Sequence, residues 1–429
     1  MSSAIEQEFA KLDSLSGPTW LREHRKESFE TFKKLGIPNR KDEQWKYTNA
    51  KAFAADEFSL SQHAELPSII STSCVEILAE DINLVFVNGQ LNEDLSQLSS
   101  LPEGLEISLL EDSWDDLDVQ DAVKKSSDFE NAFEAQNHAL MEHGLVIKAA
   151  KNTAISETIH LVFVNQVNGD SEILSSPSIF VICDRSAELS IRESHVGDSG
   201  AKYISSSSVF VEARQNAKVG LYKFQNQGDD GRHLDHTQVI QKRDSKFETF
   251  NFSLGGKLLR NDLRIRLEES GADAVFNGVY MPCNGEHVDS QSTVDHQSPH
   301  CTSSQLYKGV LRDGSRAVFN GKVLIRRDAQ QTDAKQLNNN LLLSENVEID
   351  TKPQMEIDAD DVKCAHGATV GQMDEDELFY LQSRGINLEL AKKMLSVGYL
   401  NEAVHRISNE SVRNAFESIL KKEFTDGLS

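Results

Sequence analysis

The chain is short of the residues that announce most chemistries. Its five cysteines, Cys74, Cys183, Cys283, Cys301 and Cys364, are scattered and odd in number. That pattern argues against a disulfide framework and suits reduced thiols. No Cys-x-x-Cys pair occurs, so a stable zinc or ferredoxin-type centre built by this chain alone is not expected. A phosphate-binding Gly-x-x-x-x-Gly-Lys-Ser/Thr loop is also missing: Asn251 stands five places before Gly256-Lys257, and Arg316 five before Gly321-Lys322. ATP hydrolysis through such a loop is therefore excluded, and no Gly-x-Ser-x-Gly elbow replaces it. No apolar run reaches the ~18 residues of a membrane span, and no basic-then-apolar leader opens the chain, so a cytoplasmic protein is expected. Basic residues are outnumbered 44 to 68, a net charge of −24. Nucleic acid and anionic membranes are poor partners for that balance, because phosphate contacts need clustered Lys and Arg. In so acidic a chain, paired carboxylates carry little information.

What is present suits a globular protein: 38% of residues are hydrophobic and 26% charged over 429 positions. Residues 1–143 read as a mostly helical region with some strands. Leu21, Phe29, Phe32 and Leu35 recur at helical spacing between Pro18 and Gly36. Ile82 to Val87 reads as a strand ended by Asn88-Gly89, and 102–137 as helices and loops. Residues 144–372 read as β. Short apolar or alternating runs such as Leu145-Val-Ile, His160-Leu-Val-Phe-Val and Ser178-Ile-Phe-Val-Ile alternate with polar breaks. Within them Ala274-Val-Phe-Asn-Gly278 recurs as Ala317-Val-Phe-Asn-Gly321, an offset of 43 residues. Ala187-Glu-Leu-Ser-Ile, Ala217-Lys-Val-Gly-Leu and Asn346-Val-Glu-Ile are looser relatives. Small residues at corners and apolar residues two places on suit a stacked coil, so the core is expected to be a β-solenoid. Residues 373–429 turn helical, with a capping pattern at Asp374-Glu-Asp-Glu377, a second start at Asn387 and a third helix from about Ser411. These helices are expected to cap the open end of the coil.

Four constellations could carry chemistry. Cys364 and His366 lie two apart, which on a strand puts a thiol and an imidazole on one face. Such a pair suits a soft or borderline metal such as iron, and two donors leave room for a second chain. The plain alternative is a buried cysteine beside a hydrogen-bonded histidine. Cys283, His287, Asp289, His296, His300 and Cys301 form a dense donor set, but their spacing fits no zinc template. A structural or interfacial role is the expectation there. His233 and His236 are expected in an exposed polar turn. Trp45 and Tyr47, two apart, are expected to share a strand face and to serve packing.

At these residues the chain resembles the SufB/SufD family of iron–sulfur cluster assembly scaffolds. The resemblance rests on His287-Val-Asp-Ser, Gly314-Ser-Arg-Ala-Val-Phe-Asn-Gly, Gln336-Leu-Asn-Asn-Asn-Leu-Leu-Leu-Ser, Glu348-Ile-Asp-Thr-Lys-Pro-Gln-Met-Glu-Ile, Cys364-Ala-His-Gly-Ala-Thr-Val-Gly and Glu377-Leu-Phe-Tyr-Leu-Gln-Ser-Arg-Gly-Ile, with Glu43-Gln-Trp-Lys-Tyr-Thr near the start. The length and the Cys-x-His-Gly-Ala-Thr form are similar to the SufD branch. The resemblance implies a mainly β chain with a right-handed parallel β-helix core and N-terminal and C-terminal α-helical domains. It implies a non-enzymatic subunit that assembles with one SufB and two copies of the ATPase SufC. Its C-terminal helices would contact SufC, and its β-helix would pair with that of SufB. A transient iron–sulfur cluster would form at the SufB–SufD interface, with His366 on this side and Cys364 its neighbour, before transfer to client proteins. Whether the isolated chain forms a homodimer stays open. A β-helix polysaccharide lyase or hydrolase, and an independent metal binder using Cys283 to Cys301, are the competing readings.

Overall fold

In a computed structural model, residues 3–13, 17–54, 59–60, 77–167 and 172–425 are described; Cys74 lies outside them. From Gly144–Ala149 to Val362–Gly371 the chain winds through about seven turns of a β-solenoid. Each turn gives one strand to each of two sheets, and strand pairs with strand one turn on, always in parallel register. The protein is mainly β, with helices at both ends.

The repeat seen in the sequence has a geometric cause. In register, Val219 pairs with Leu189 and Ser303 with Ala274, so a turn consumes about thirty residues. Ala274 lies in one sheet and Ala317 in the other. The 43-residue offset is thus a turn and a half, linking equivalent positions on opposite walls. One corner of the coil repeats a second pattern. A residue with positive φ, namely Ser186, Asn216, Asp244, Gly271, His300 or Gln331, is followed by a small buried one: Ala187, Ala217, Ser245, Ala272, Cys301 or Thr332. The left-handed residue makes the sharp bend, and only a small side chain fits inside it.

Within the lumen, inward positions alternate with outward ones. One half is apolar, built from residues such as Leu189, Ile191, Val219, Leu221, Ile265 and Val323. The other half is polar and includes Glu193, Lys223, Asp235, Gln305, Gln336 and Asn338, all buried.

The two outer walls are covered differently. Helices α1 (Ser3–Asp13), α2 (Thr19–Leu35), α3 (Leu117–Lys125) and α4 (Ala132–Ala139) belong to the N-terminal region. Phe133 of α4, with Trp45 and Phe53, packs on Leu174, Ile204, Leu234 and Leu258 of one wall. At the C-terminus stand α5 (Glu375–Ser383), α6 (Leu388–Val404) and α7 (Glu410–Thr425). Leu400, Ala403, Val404, Phe416 and Leu420 pack on Phe250, Phe252, Leu306 and Val310 of the opposite wall. The C-terminal helices therefore lie along the side of the coil, not across its end as the sequence suggested. The physical reason is the apolar outer face of the strand Lys246–Gly255, where Phe250 and Phe252 need covering.

The two ends of the coil differ as well. At the first, Gln90–Leu91 and Leu105–Leu109 pair antiparallel and close the sheets. At the last, Glu348–Ile357 and Val362–Gly371 each pair on one side only, among the described residues. Their outer edges are free, and Leu337, Ile357 and Val370 are exposed beside them.

Candidate functional site

Cys364 and His366 lie on the strand that finishes the coil. Cys364 is in register with Ala334 and His366 with Gln336. Register partners in a parallel ladder share a face, and Ala334 and Gln336 are buried inside. Both donors therefore stand on the lumen side, at its open mouth. Cys364 is half-buried and touches the apolar core, while His366 is exposed. Burial pushes the Cys364 thiol above its ordinary range; Asp333 adds to this, and a hydrogen bond with the Ala334 backbone opposes it. A raised thiol is protonated near neutrality and becomes a ligand only when a metal draws off its proton. Among the described residues, no three Cys, His, Asp or Glu side chains stand in metal-holding geometry. Within the described chain, the pair supplies two soft-metal donor types on one face and no third.

Beneath the mouth the lumen is hydrogen-bonded in layers. Gln336 Nε2 donates to Gln305 Oε1 at 2.7 Å, and Gln305 Nε2 donates to Ser292 Oγ at 2.8 Å. Asn338 and Asn340 tie to Tyr280, and Thr351 Oγ1 donates to Asn338 Oδ1 at 2.8 Å. Deeper, Lys223 Nζ lies 2.7 Å from Asp235 and 3.2 Å from Glu193. His195 stacks on Phe163 and against His233. Sequence reasoning missed this polar column. Its signal was present in strict alternation, since Lys223 and Gln225 continue the inward row of Val219 and Leu221.

The dense donor set of 283–301 is dispersed. His287 and Asp289 face outward under the N-terminal region. There Thr48 Oγ1 lies 3.1 Å from His287 Nε2 and donates to Asp289 Oδ2 at 2.5 Å. Arg260 donates to Asp289 at 2.7 Å and to the Gln44 carbonyl at 2.9 Å, and lies 3.7 Å from the centre of the Trp45 ring. His296 faces the lumen, 2.9 Å from Ser303 Oγ. His300 makes a corner with φ 62°, and Cys301 fills the small slot after it. Cys283 sits beside the turn Asn284-Gly285, its thiol pushed up to about 11 by burial and by Glu286. Side chains aimed inward, outward and into corners cannot converge on one ion.

Two expectations are corrected. His233 and His236 belong to the strand Arg232–Gln241 and are buried, not in an exposed turn. Three places apart on a strand puts them on opposite faces, His233 in the lumen and His236 under α4, 3.9 Å from Glu134. Trp45 ends a short 3₁₀ turn, Glu43–Trp45, and shares no strand with Tyr47. The packing role of Trp45 stands, for it is buried against Phe53 and Phe133.

The fold and site define a parallel β-solenoid with a lumen-facing thiol–imidazole pair at an unfinished end. The pattern described as the SUF system FeS cluster assembly SufBD core domain matches residues 164–399, and the SufBD protein N-terminal region matches 6–161. The chain belongs to the SufBD family of iron–sulfur cluster assembly proteins. It is 30% identical to an iron–sulfur cluster assembly SufBD family protein of Synechocystis, over 88% of this chain and 86% of that one. It is 29% identical to the iron–sulfur cluster assembly protein SufD of Escherichia coli, over 89% and 88%. Identity to the chloroplastic protein ABCI7 of Arabidopsis thaliana is 28%, over 98% and 89%.

Proposed function

We propose that the chain is the SufD-type subunit of a cytoplasmic SUF assembly complex. In this reading it is a scaffold, not an enzyme. A nascent iron–sulfur cluster, as cargo, is built between this chain and SufB and passed to client proteins. His366 and Cys364 are the contribution of this chain to that site. The observation that carries the reading is the open coil end, where two soft-metal donors stand beside two unpaired strand edges. A second solenoid adding its own edge would satisfy those backbone groups, cover Leu337, Ile357 and Val370, and complete the coordination shell. The ATPase SufC is assigned to the C-terminal helices. There Phe379 and Tyr380 of α5 are 71% and 57% exposed, and Leu388 and Met394 of α6 are also bare. Exposed apolar side chains of that size mark a docking surface. Among the described residues no helix is long and apolar enough to cross a membrane.

His366→Ala tests the reading in cells that carry SufB and SufC. The variant should co-purify with both partners at wild-type yield and lose cluster assembly, read as client-protein maturation. Normal maturation would remove His366 from the site. Failure to recover SufB with the wild-type chain would remove the scaffold reading altogether.

A further inference from the structure

One polar atom under the open mouth has no partner. Gln336 is buried in the strand Thr332–Leu342, and its Oε1 accepts no hydrogen bond among the described residues. Its amide direction is set from below. Gln336 Nε2 donates to Gln305 Oε1, which spends the NH₂ group on the inner layer, and Gln305 Nε2 in turn donates to Ser292 Oγ. The pair is also confined sideways. A Cβ at Gly321 would lie 2.0 Å from Gln336 Nε2 and 2.9 Å from Gln305 Oε1, so the bare backbone at 321 presses on both amides. One layer above, in register with Gln336 and on the same face, is His366. By contrast, the next inward residue, Asn338, has its oxygen occupied by Asn340 and Thr351. The free acceptor therefore belongs to the layer next below His366, in the same inward row.

We propose that Gln336 is a positioning residue for His366. The exposed ring turns down onto this acceptor, a hydrogen bond that the structure does not itself contain, so that Oε1 accepts the N–H of one ring nitrogen, selects the tautomer and the ring plane and leaves the lone pair of the other nitrogen for the cluster. A histidine that binds metal nearly always donates its second ring N–H to a carbonyl or carboxylate, and loss of that partner commonly costs ten- to a hundredfold in affinity or activity. A buried acceptor left without a donor is itself destabilising, so the contact serves the fold as well as the site. The inference rests on the reading of His366 as a cluster-side residue.

The test uses the full chain labelled with ¹⁵N-histidine, with the His366 signals assigned by their loss in His366→Asn. In the wild type, His366 should show a single tautomer with a hydrogen-bonded N–H. In Gln336→Leu, which fills the space without an acceptor, it should relax to the mixture of a free imidazole. Cluster assembly with SufB and SufC should fall about tenfold or more in Gln336→Leu, with both partners still recovered. A mixed tautomer in the wild type, or nitrogen shifts unchanged by Gln336→Leu, overturns the proposal, and the wild-type measurement decides even if the variant fails to fold. The two readings fail separately. If His366→Ala assembles clusters normally, the site reading falls. If His366→Ala is inactive while the tautomer ignores residue 336, only the positioning role falls.

Discussion

At the scale of single residues, the lumen is governed by what its glycines leave room for. Gly278 closes the first Ala-Val-Phe-Asn-Gly repeat. A Cβ there would stand 2.6 Å from the Tyr307 ring and 2.9 Å from the Asn251 carbonyl. Tyr307 cannot retreat, because it is buried and packed at 5.3 Å against Phe319. Gly278→Ala should therefore destabilise the chain by about 1–3 kcal/mol through overpacking. Gly371, with nothing within 4 Å of its would-be Cβ, is the control, and Gly371→Ala should be near neutral. Guanidinium unfolding of the two variants decides; equal midpoints would show that the lumen yields at Gly278. The sequence displayed the repeat but not why it ends in glycine, since the facing tyrosine lies 29 positions away in chain order. The histidines at 233 and 236 were misplaced for a related reason. Polarity suggested a turn, whereas the polar lumen accepts His233 inside a strand and the cover of α4 buries His236 on its outer face.

At the scale of elements, α6 is held to the solenoid wall by more than apolar contact. Lys308 is buried on the outer face of the strand Thr302–Leu311. Its Nζ donates to the Tyr399 carbonyl at 3.0 Å, lies 2.5 Å from Glu402 and sits 4.1 Å above the Tyr399 ring. Lys308→Met keeps the bulk and removes all three polar contacts, with an expected cost of about 1.5–3 kcal/mol for the charged hydrogen bonds. That cost should appear locally. Amide exchange in α6 and α7 should quicken while the strands of the coil stay protected, and uniform exchange across the chain would defeat the assignment. The sequence suggested a helix from Asn387 carrying Leu388, Leu390, Met394 and Leu395 and stopped by Gly398, but the helix runs on to Val404 and buries Ala391, Ser396, Leu400, Ala403 and Val404 instead. The missing half of the argument lay elsewhere, in Phe247, Phe250 and Phe252. These fall on both faces of one strand and so require a cover outside the coil as well as a core within it.

For the whole molecule, the solenoid was legible because stacking forces a period on the sequence, and the Cys364–His366 face was legible because two places apart is one face of a strand. The polar interior was not, because it is spread over many turns and no local motif records it. Its consequence is a pH dependence that the net charge does not suggest. Burial lowers His24 and His296 to about 4 and His236 to about 3. His138, His160 and His233 are also held well below their ordinary value by burial. All of these are neutral in the fold, while the unfolded chain binds their protons near pH 6.5. Their stabilisation is thus present above about 6.5 and is lost as the pH falls through the folded values. Buried carboxyls act the other way, Asp81 among them, and two are raised furthest. Burial raises Glu134 to about 8 and Asp262 to about 6, against opposing Arg264 and Arg260, so their contribution is fully present below about 4 and is lost as the pH rises through the folded values. Each group contributes at most about 1.4 kcal/mol per pH unit. Six histidines outweigh these carboxyls between pH 4 and 6.5, and above 6.5 Glu134 still has a slope, joined by His143, which Glu111 and Glu142 raise against burial. Thermal unfolding of the isolated chain should therefore peak near pH 6.5, with a steep acid limb and a shallow fall towards pH 8. Glu134→Gln should flatten the shallow limb and leave the steep one. A melting temperature that is level from pH 4 to 6.5 would mean that these imidazoles charge within the folded protein.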